Sequence, residues 1–321
     1  MELTGGGYLV FCSGTHLFRV LANGNPDPGY GSVSAQPGQG AKDSGIAFNY
    51  NTVTGGDGFM LDPLPGGGFI GCGSSGNDCF LVKLDAGGNI VSGWPKIIAA
   101  PANNFAYVVH PISDPASPGY VVAGETNGQG AGGSDAWLFR TDAVGNLIWQ
   151  QTYGGSNNED FSSLFVTDDG KYVLTGSYTS TGAGTADIWL LELEDPDLIA
   201  YIEGTLFLDK NNNCQYDAAS EPLLANQWVQ LLPGPVYALT DAVGKYRFKI
   251  GYGAYSLSFP ATDYFHSASC LPPVIPVAVA GGQTSAGNDF PLEALPGFFC
   301  ESSVSVISAP YATGFCANAA Q

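Results

Sequence analysis

Residues 209–217 read DKNNNCQYD, which sets oxygen-bearing side chains at Asp209, Asn211, Asn213 and Asp217. Oxygens at alternate positions of a short loop are the donor pattern for a hard divalent cation, because calcium draws about six to eight oxygen ligands from a flexible loop. The sixth place of such a loop normally holds glycine, for the sharp turn there. Here it holds Cys214. Residue types alone therefore leave three readings: a calcium loop, the anchor of a disulfide, or an Asx-rich polar turn.

Other residues with chemical potential are sparse. The three histidines, His16, His110 and His266, stand in no HExxH pattern, and no GxSxG accompanies them. Glycine-rich TGGDG and GQGAGGSD lack the GK[ST] of a phosphate loop. Neighbouring carboxylates, Glu159 with Asp160 and Asp168 with Asp169, alternate across a strand and so make poor catalytic pairs. Seven cysteines in a lysine-poor, strand-rich chain suggest an oxidising compartment and an extracellular or cell-surface location. Cys72 with Cys79, and Cys300 with Cys316, flank short loops and are candidate disulfides. Zinc is the lesser alternative, since His and Cys do not cluster.

The scaffold that must carry these groups is read from composition. Of 321 residues, 45 are glycine and 21 proline, with aromatics at 12% and charged residues at 12%. Such a chain forms many short strands joined by turns, and it lacks the sustained 3.6-residue apolar spacing of helices. A formal charge of −19 repels nucleic acid and anionic membranes, which are set aside as partners. No stretch is long and apolar enough to span a bilayer as a helix. The start, MELTGGGYLVFCSG, shows no basic region followed by an apolar one, so it reads as beginning inside a domain.

Four segments repeat, from Gly5, Gly66, Pro118 and Asp169. Each has a Gly-led turn, a short apolar strand such as Tyr120–Ala123 or Tyr172–Thr175, a small-residue loop, then an Asp before an aromatic strand, as in DAWLFRTD and DIWLLELE. A DAGGN or DAVGN turn leads to a third strand, and a fourth fits FAYVVHPI and FSSLFVTD. Four short strands per repeat is the grammar of a propeller blade. The stretch SDAWLFRTDAVGNLIWQQTYGGSNNEDFSSLFVTDDGKYVLTG resembles a family of bacterial β-propeller repeats, and the resemblance spans about residues 5–195. It implies about four blades, in a ring that is minimal or lacks upstream members. Trp137, Trp149 and Trp189 then fill the space between blades, or Trp137 and Trp189 join Asp135 and Asp187 on a ligand face. Asp135 and Asp187 can equally cap turns.

The next segment carries LDKNNNCQYD, EPLLANQWVQLL, TDAVGKYRF and GAYSLSF in that order. These four motifs resemble the collagen-adhesin B-type, prealbumin-like domains of bacterial surface proteins, which include calcium-binding repeats of staphylococcal adhesins. The resemblance implies an immunoglobulin-like or prealbumin-like β-sandwich used as a stalk or spacer. It also gives the opening loop a context. With Asp209 as position one, the candidate calcium ligands are Asp209, Asn211, Asn213, the carbonyl of Gln215, and Asp217, with Glu221 one place beyond the usual closing Glu and Asp241 reaching in from a neighbouring turn. Cys270 is the next cysteine of the module, and a Cys214–Cys270 bridge would add roughly 3–4 kcal/mol.

The expected fold is therefore all-β: propeller repeats over 1–196, a sandwich over 197–295, and over 296–321 the start of a further sandwich repeat or a strand-exchange tail. The expected role is non-enzymatic, a structural or adhesive protein of the cell surface or of an extracellular fibre. Calcium is the suspected cofactor; the partners are other copies of the chain, other surface proteins or glycans. The alternative is a lectin-like carbohydrate-binding propeller or part of a propeller glycan hydrolase, for which a convergent carboxylate pair would be the sign.

Overall fold

The computed structural model describes residues 7–12, 16–25, 45–47, 60–75, 77–98, 103–180, 186–259, 266–268, 270 and 274–294. Strands dominate, and no helix occurs among these residues. The chain divides into two compact units. The first comprises Met1–Ala200 with Ile250–Gly253 and Ala280–Gln283; the second comprises Tyr201–Lys249, Ala254–Val279 and Thr284–Gln321.

The first unit holds four antiparallel sheets in chain order. β1 (Tyr8–Cys12), β2 (His16–Val20) and β3 (Gly45–Ala47) form the first. β4 (Met60–Pro63), β5 (Phe69–Ser75), β6 (Asp78–Leu84) and β7 (Lys96–Ile98) form the second. β8 (Asn104–Ile112), β9 (Gly119–Thr126), β10 (Asp135–Asp142) and β11 (Leu147–Tyr153) form the third. β12 (Ser163–Val166), β13 (Lys171–Tyr178) and β14 (Asp187–Glu194) form the fourth, which has three strands.

Two sequence features build these sheets. The DAGGN and DAVGN turns close their hairpins by an Asx device: Asp142 Oδ1 accepts from Val144 N at 3.0 Å and Asn146 N at 2.8 Å, and Asp85 repeats the pattern with Gly87 and Asn89. Partial desolvation pushes the Asp142 carboxyl up, but the hydrogen bonds from Asn146 and Val144 outweigh it and hold it below its ordinary value. Gly68 and Gly119, which open apolar strands of the second and third sheets, sit against the backbone of the paired strand. A Cβ on Gly68 would lie 2.3 Å from Leu84 O, and one on Gly119 would lie 1.9 Å from Thr141 O. No side chain fits there.

β9 and β10 are buried along nearly their whole length, which explains their continuous apolar runs: both faces of the third sheet are covered. On one face Tyr120, Val122, Trp137 and Phe139 pack with Ile70, Cys72, Cys79 and Leu81 of the second sheet. On the other, Val121, Ala123, Ala136 and Leu138 pack with Phe161, Leu164, Tyr172 and Leu174 of the fourth. At each junction one sheet offers aromatic rings and its neighbour offers smaller side chains.

The expected Cys72–Cys79 disulfide is corrected here, because both side chains are free thiols. Cys72 stands opposite Leu81, and Cys79 opposite Ser74, so the two cysteines are diagonal neighbours across the pair. Diagonal positions are about 7–8 Å apart, too far for the roughly 3.5–4.5 Å Cβ separation of a bridge. Each sulfur instead faces a carbonyl, Cys72 that of Ala106 and Cys79 that of Ile98. Burial pushes the Cys72 thiol up to about 12 and Cys79 upward as well. Cys300, Cys316 and the expected segment 296–321 lie outside the described residues.

The second unit continues with β15 (Ile199–Leu208), whose first two residues lie in the first unit, then β16 (Trp228–Leu232), β17 (Val236–Leu239), β18 (Lys245–Gly251), β19 (Gly253–Ser258), β20 (His266–Ala268), β21 (Val274–Val279), β22 (Thr284–Ser285) and β23 (Phe290–Ala294). One sheet runs β18-β15-β23-β20 with β22 beside β15, and the other runs β17-β16-β19-β21. In KYRFKI, Tyr246, Phe248 and Ile250 are buried while Lys245, Arg247 and Lys249 are exposed, the two-residue alternation of a half-covered strand. β15 and β23 pair in parallel, with Leu206 opposite Phe290 and Leu208 opposite Leu292. This places the loop after Leu208 at a supported end of the sheet.

Candidate functional site

The loop 209–221 is anchored at both ends. Asp209 N donates to Leu292 O at 2.8 Å, Leu208 N to Pro222 O at 3.0 Å, and Leu224 N to Leu206 O at 2.9 Å, so the chain leaves β15 and returns onto it. Asp209 and Glu221, its first and last carboxylates, are both buried. Tyr216 rests on Phe207, ring centroids 5.4 Å apart.

Within the loop Asp209, Asn211 and Asn213 each accept from backbone N–H groups ahead of them in the chain. Asp209 Oδ1 accepts from Asn213 N at 3.3 Å and Oδ2 from Cys214 N at 3.1 Å. Asn211 Oδ1 accepts from Asn213 N at 3.0 Å, and Asn213 Oδ1 from Gln215 N at 2.8 Å. The side-chain amides of Asn211 and Asn213 converge on one atom, Asp217 Oδ2, at 2.6 and 3.1 Å. Glu221 clamps the loop ends: Oε1 accepts from Lys210 N at 3.0 Å and Oε2 from Asp217 N at 2.9 Å.

Cys214 has φ +64°, the left-handed conformation that explains why comparable loops use glycine at this place. Its sulfur bonds Cys270, with Cα atoms 5.7 Å apart across a sequence separation of 56. The Cys270 sulfur also lies 3.1 Å from Asp209 Oδ2. Asp209, Cys214 and Cys270 thus cluster, but the sulfurs are spent on each other and offer no thiolate to a soft metal.

The donors left are hard. Asp209, Asn211, Asn213 and Asp217 carry hard oxygens of the kind calcium takes, but the oxygens of Asp209, Asn211 and Asn213 accept from backbone N–H groups, and it is the amide NH2 groups of Asn211 and Asn213 that meet at Asp217. Of the other expected ligands, Glu221, like Asp209, has both oxygens on backbone amides, and Asp241 Oδ1 caps its own hairpin by accepting from Val243 N and Lys245 N, each at 2.9 Å.

The four residues expected on a ligand face are not one surface. Trp137 is fully buried, with Nε1 donating to Gln150 Oε1 at 3.1 Å and its ring 4.3 Å from that of Phe139. Trp189 is half-buried between Phe161 and Tyr178. Asp135 is buried and accepts from Ala131 N, whereas Asp187 is exposed. Both tryptophans fill space between sheets.

Sequence reasoning missed two buried polar anchors. Arg140 on β10 donates to Asp195 Oδ2 at 3.1 Å and to Ser117 O at 2.6 Å, and Tyr172 Oη donates to the same Asp195 oxygen at 2.5 Å. Burial, then the neighbouring Asp195, pushes the Tyr172 phenol far up. Glu159 gathers Gly155 N, Thr179 N, Ser180 N and Ser180 Oγ. Only a lone arginine in an otherwise apolar strand hinted at the first. Glu159 and Asp135 both approach Gly154; Glu159 is held by several local donors, whereas both oxygens of Asp135 accept from the one N–H of Ala131.

No protein-family model matches the chain, and no curated protein matches it. Among solved structures it is similar to the Bacillus anthracis TIE protein, at 11% identity and a TM-score of 0.25, over 76% of this chain and 53% of that one. It is also similar to a mutant of the Synechocystis apocarotenoid oxygenase, at 12% identity and a TM-score of 0.33, over 92% of this chain and 58% of that one. The chain spans little more than half the length of each, and at these scores neither likeness carries an argument about activity.

Proposed function

We propose that this chain is a non-enzymatic structural or adhesive module of an extracellular or cell-surface protein. The repeats of the first unit form a propeller-type array for recognition or assembly. The second unit is a prealbumin-like sandwich that serves as a stiff spacer. The observation that supports this reading is the loop 209–221, where the side chains of Asn211 and Asn213 close onto Asp217 and the left-handed Cys214 is bridged to Cys270.

Asp209, Asn211, Asn213 and Asp217 would hold calcium. The ion would neutralise the two carboxylates and tie the loop into one rigid piece, as the disulfide ties it to residue 270. With only two carboxylates in the donor set, affinity falls in the weak range of extracellular modules, about 10⁻⁴–10⁻³ M. An oxidised cystine supports an oxidising compartment, and the free thiols Cys72 and Cys79 are buried. The alternative of an aromatic sugar platform loses its support once Trp137 is buried.

A calcium titration by calorimetry tests the reading. One site that disappears in Asp209→Ala supports it. No heat at millimolar calcium, in a protein shown to be folded, removes the metal half of the proposal.

A further inference from the structure

The second and third sheets have four strands each, and the fourth has three. Register shows which strand the fourth sheet does without. β13 pairs with β14 as β9 pairs with β10, so Ile188, Leu190 and Glu192 stand where Ala136, Leu138 and Arg140 stand. The far edge of β10 is taken by β11, with Tyr153 opposite Ala136, Gln151 opposite Leu138 and Trp149 opposite Arg140. Among the described residues no strand takes that place beside β14.

The main chain of β14 turns outward at these same residues. Lys171 O accepts from Thr167 N, Thr175 O from Ser162 N and Ser177 O from Asp160 N, so the odd-numbered residues of β13 bond away from β14. The even-numbered ones, Tyr172, Leu174 and Gly176, bond toward Leu193, Leu191 and Trp189. The residues that alternate with these, Ile188, Leu190 and Glu192, therefore point their N–H and C=O groups off the sheet. Side chains on the face turned from the third sheet are open too: Ile188 is 92% exposed and Leu190 67%, against 0% and 1% for Ala136 and Leu138. This eight-residue edge has no proline, no lysine and no bulge, the devices by which sheet edges avoid pairing. Its charge is one-sided, with Asp187, Glu192 and Glu194 on the strand and Lys171 of β13 set 2.8 Å from Glu192.

We propose that β14 is a docking edge for an extended, basic segment of a partner protein, which adds antiparallel to it as a fourth strand, as β11 adds to β10. Main-chain bonds at Ile188, Leu190 and Glu192 hold the segment, which is why its chemistry is that of a polypeptide. Apolar side chains of the segment pair with Ile188 and Leu190, and cations pair with Glu192 and Glu194 on the same face. A net charge of −19, with only ten Lys and Arg in 321 residues, points away from a second copy as the source of that segment. The inference deepens the recognition half of the proposed function and rests on it, but it is independent of the calcium loop.

Binding of a labelled peptide, Lys-Thr-Lys-Thr-Val-Thr-Tyr, to the full chain tests the proposal by fluorescence anisotropy, with hydrogen exchange to locate the contact. Its first residue falls opposite Glu194 and its last opposite Ile188. The peptide should bind, bind less tightly as salt is raised, and protect the amides of Ile188, Leu190 and Glu192. N-methylation at its valine and second lysine removes two main-chain donors and should weaken binding about tenfold or more. Leu190→Pro, which removes an N–H that β13 does not use, should do the same. Ile188→Lys, at an exposed position, should weaken binding by about three- to fivefold and serves if Leu190→Pro does not fold. No binding at millimolar peptide, or equal binding of the N-methylated peptide, overturns the proposal. Protection confined to other strands of the first unit also overturns it, while leaving the recognition reading in place. Wild type that self-associates with these amides protected assigns the edge to a second copy and overturns it as well. Calcium-dependent melting that survives any of these results leaves the spacer reading standing.

Discussion

Cys214 donates its backbone N–H to Asp209 Oδ2 at 3.1 Å while its own sulfur is bonded to Cys270, so one residue closes the loop from both its main chain and its side chain. The left-handed φ of +64° is what allows both. A metal loop and a disulfide anchor are therefore compatible uses of one stretch.

Removing the bridge separates these contributions. Cys270→Ser should lower stability by about 4 kcal/mol, the loop-closure value for a separation near 56 residues. Cys214→Gly breaks the same bridge but relieves left-handed strain of about 1 kcal/mol, so it should cost correspondingly less. Urea unfolding of the two variants checks the order; Cys214→Gly being the less stable would contradict it.

The buried Arg140–Asp195 pair joins β10 of the third sheet to the end of β14 in the fourth. Asp195→Asn and Tyr172→Phe should each destabilise the first unit, and Arg140→Ala by about 3–5 kcal/mol, because it strands a buried carboxylate. Arg140→Ala within about 1 kcal/mol of wild type in a denaturant melt would show that the pair is not the anchor it resembles.

Glu159 gives the acid limb of stability a definite sign. Desolvation pushes its carboxyl up, but hydrogen bonds from Ser180, Gly155 and Thr179 outweigh this and hold it below 4.5. A carboxyl depressed on folding contributes stability that is complete above its unfolded value and lost as pH falls through the lower folded value. Glu159→Gln should therefore be less stable than wild type at neutral pH, with the gap closing below about pH 4. Denaturation midpoints across that range report it; a gap constant with pH would contradict the assignment.

Much of this was legible because it is local. The alternation in KYRFKI and the Asx turns at Asp85, Asp142 and Asp241 act within a few residues, and the structure uses them as their types suggest; the side chains at 209, 211 and 213 likewise bond backbone N–H groups a few residues on. What was illegible depends on register and stacking. Cys72 and Cys79 are close in sequence but diagonal across a ladder, and nothing in their spacing reveals that. Arg140 and Asp195 meet across 55 residues because two sheets pack face to face. Trp137 and Trp189 occupy the same repeat position, yet only the first is fully buried, and the sequence is alike at both. The open face at Ile188 and Leu190 is likewise visible only once its sealed counterpart is known.

The central claim is that the loop 209–221 is held by calcium, and the most direct measurement is the melting of the full chain in calcium and in chelator. At about 10 mM calcium, a site of 10⁻⁴–10⁻³ M adds about 1.4–2.7 kcal/mol to the second unit, enough to raise its transition by several degrees. The rise should vanish in Asp209→Ala while the transition of the first unit stays put. Superimposable melts in calcium and chelator for the wild-type protein would contradict the claim and leave Asp209 and its neighbours as a polar turn pinned by a disulfide.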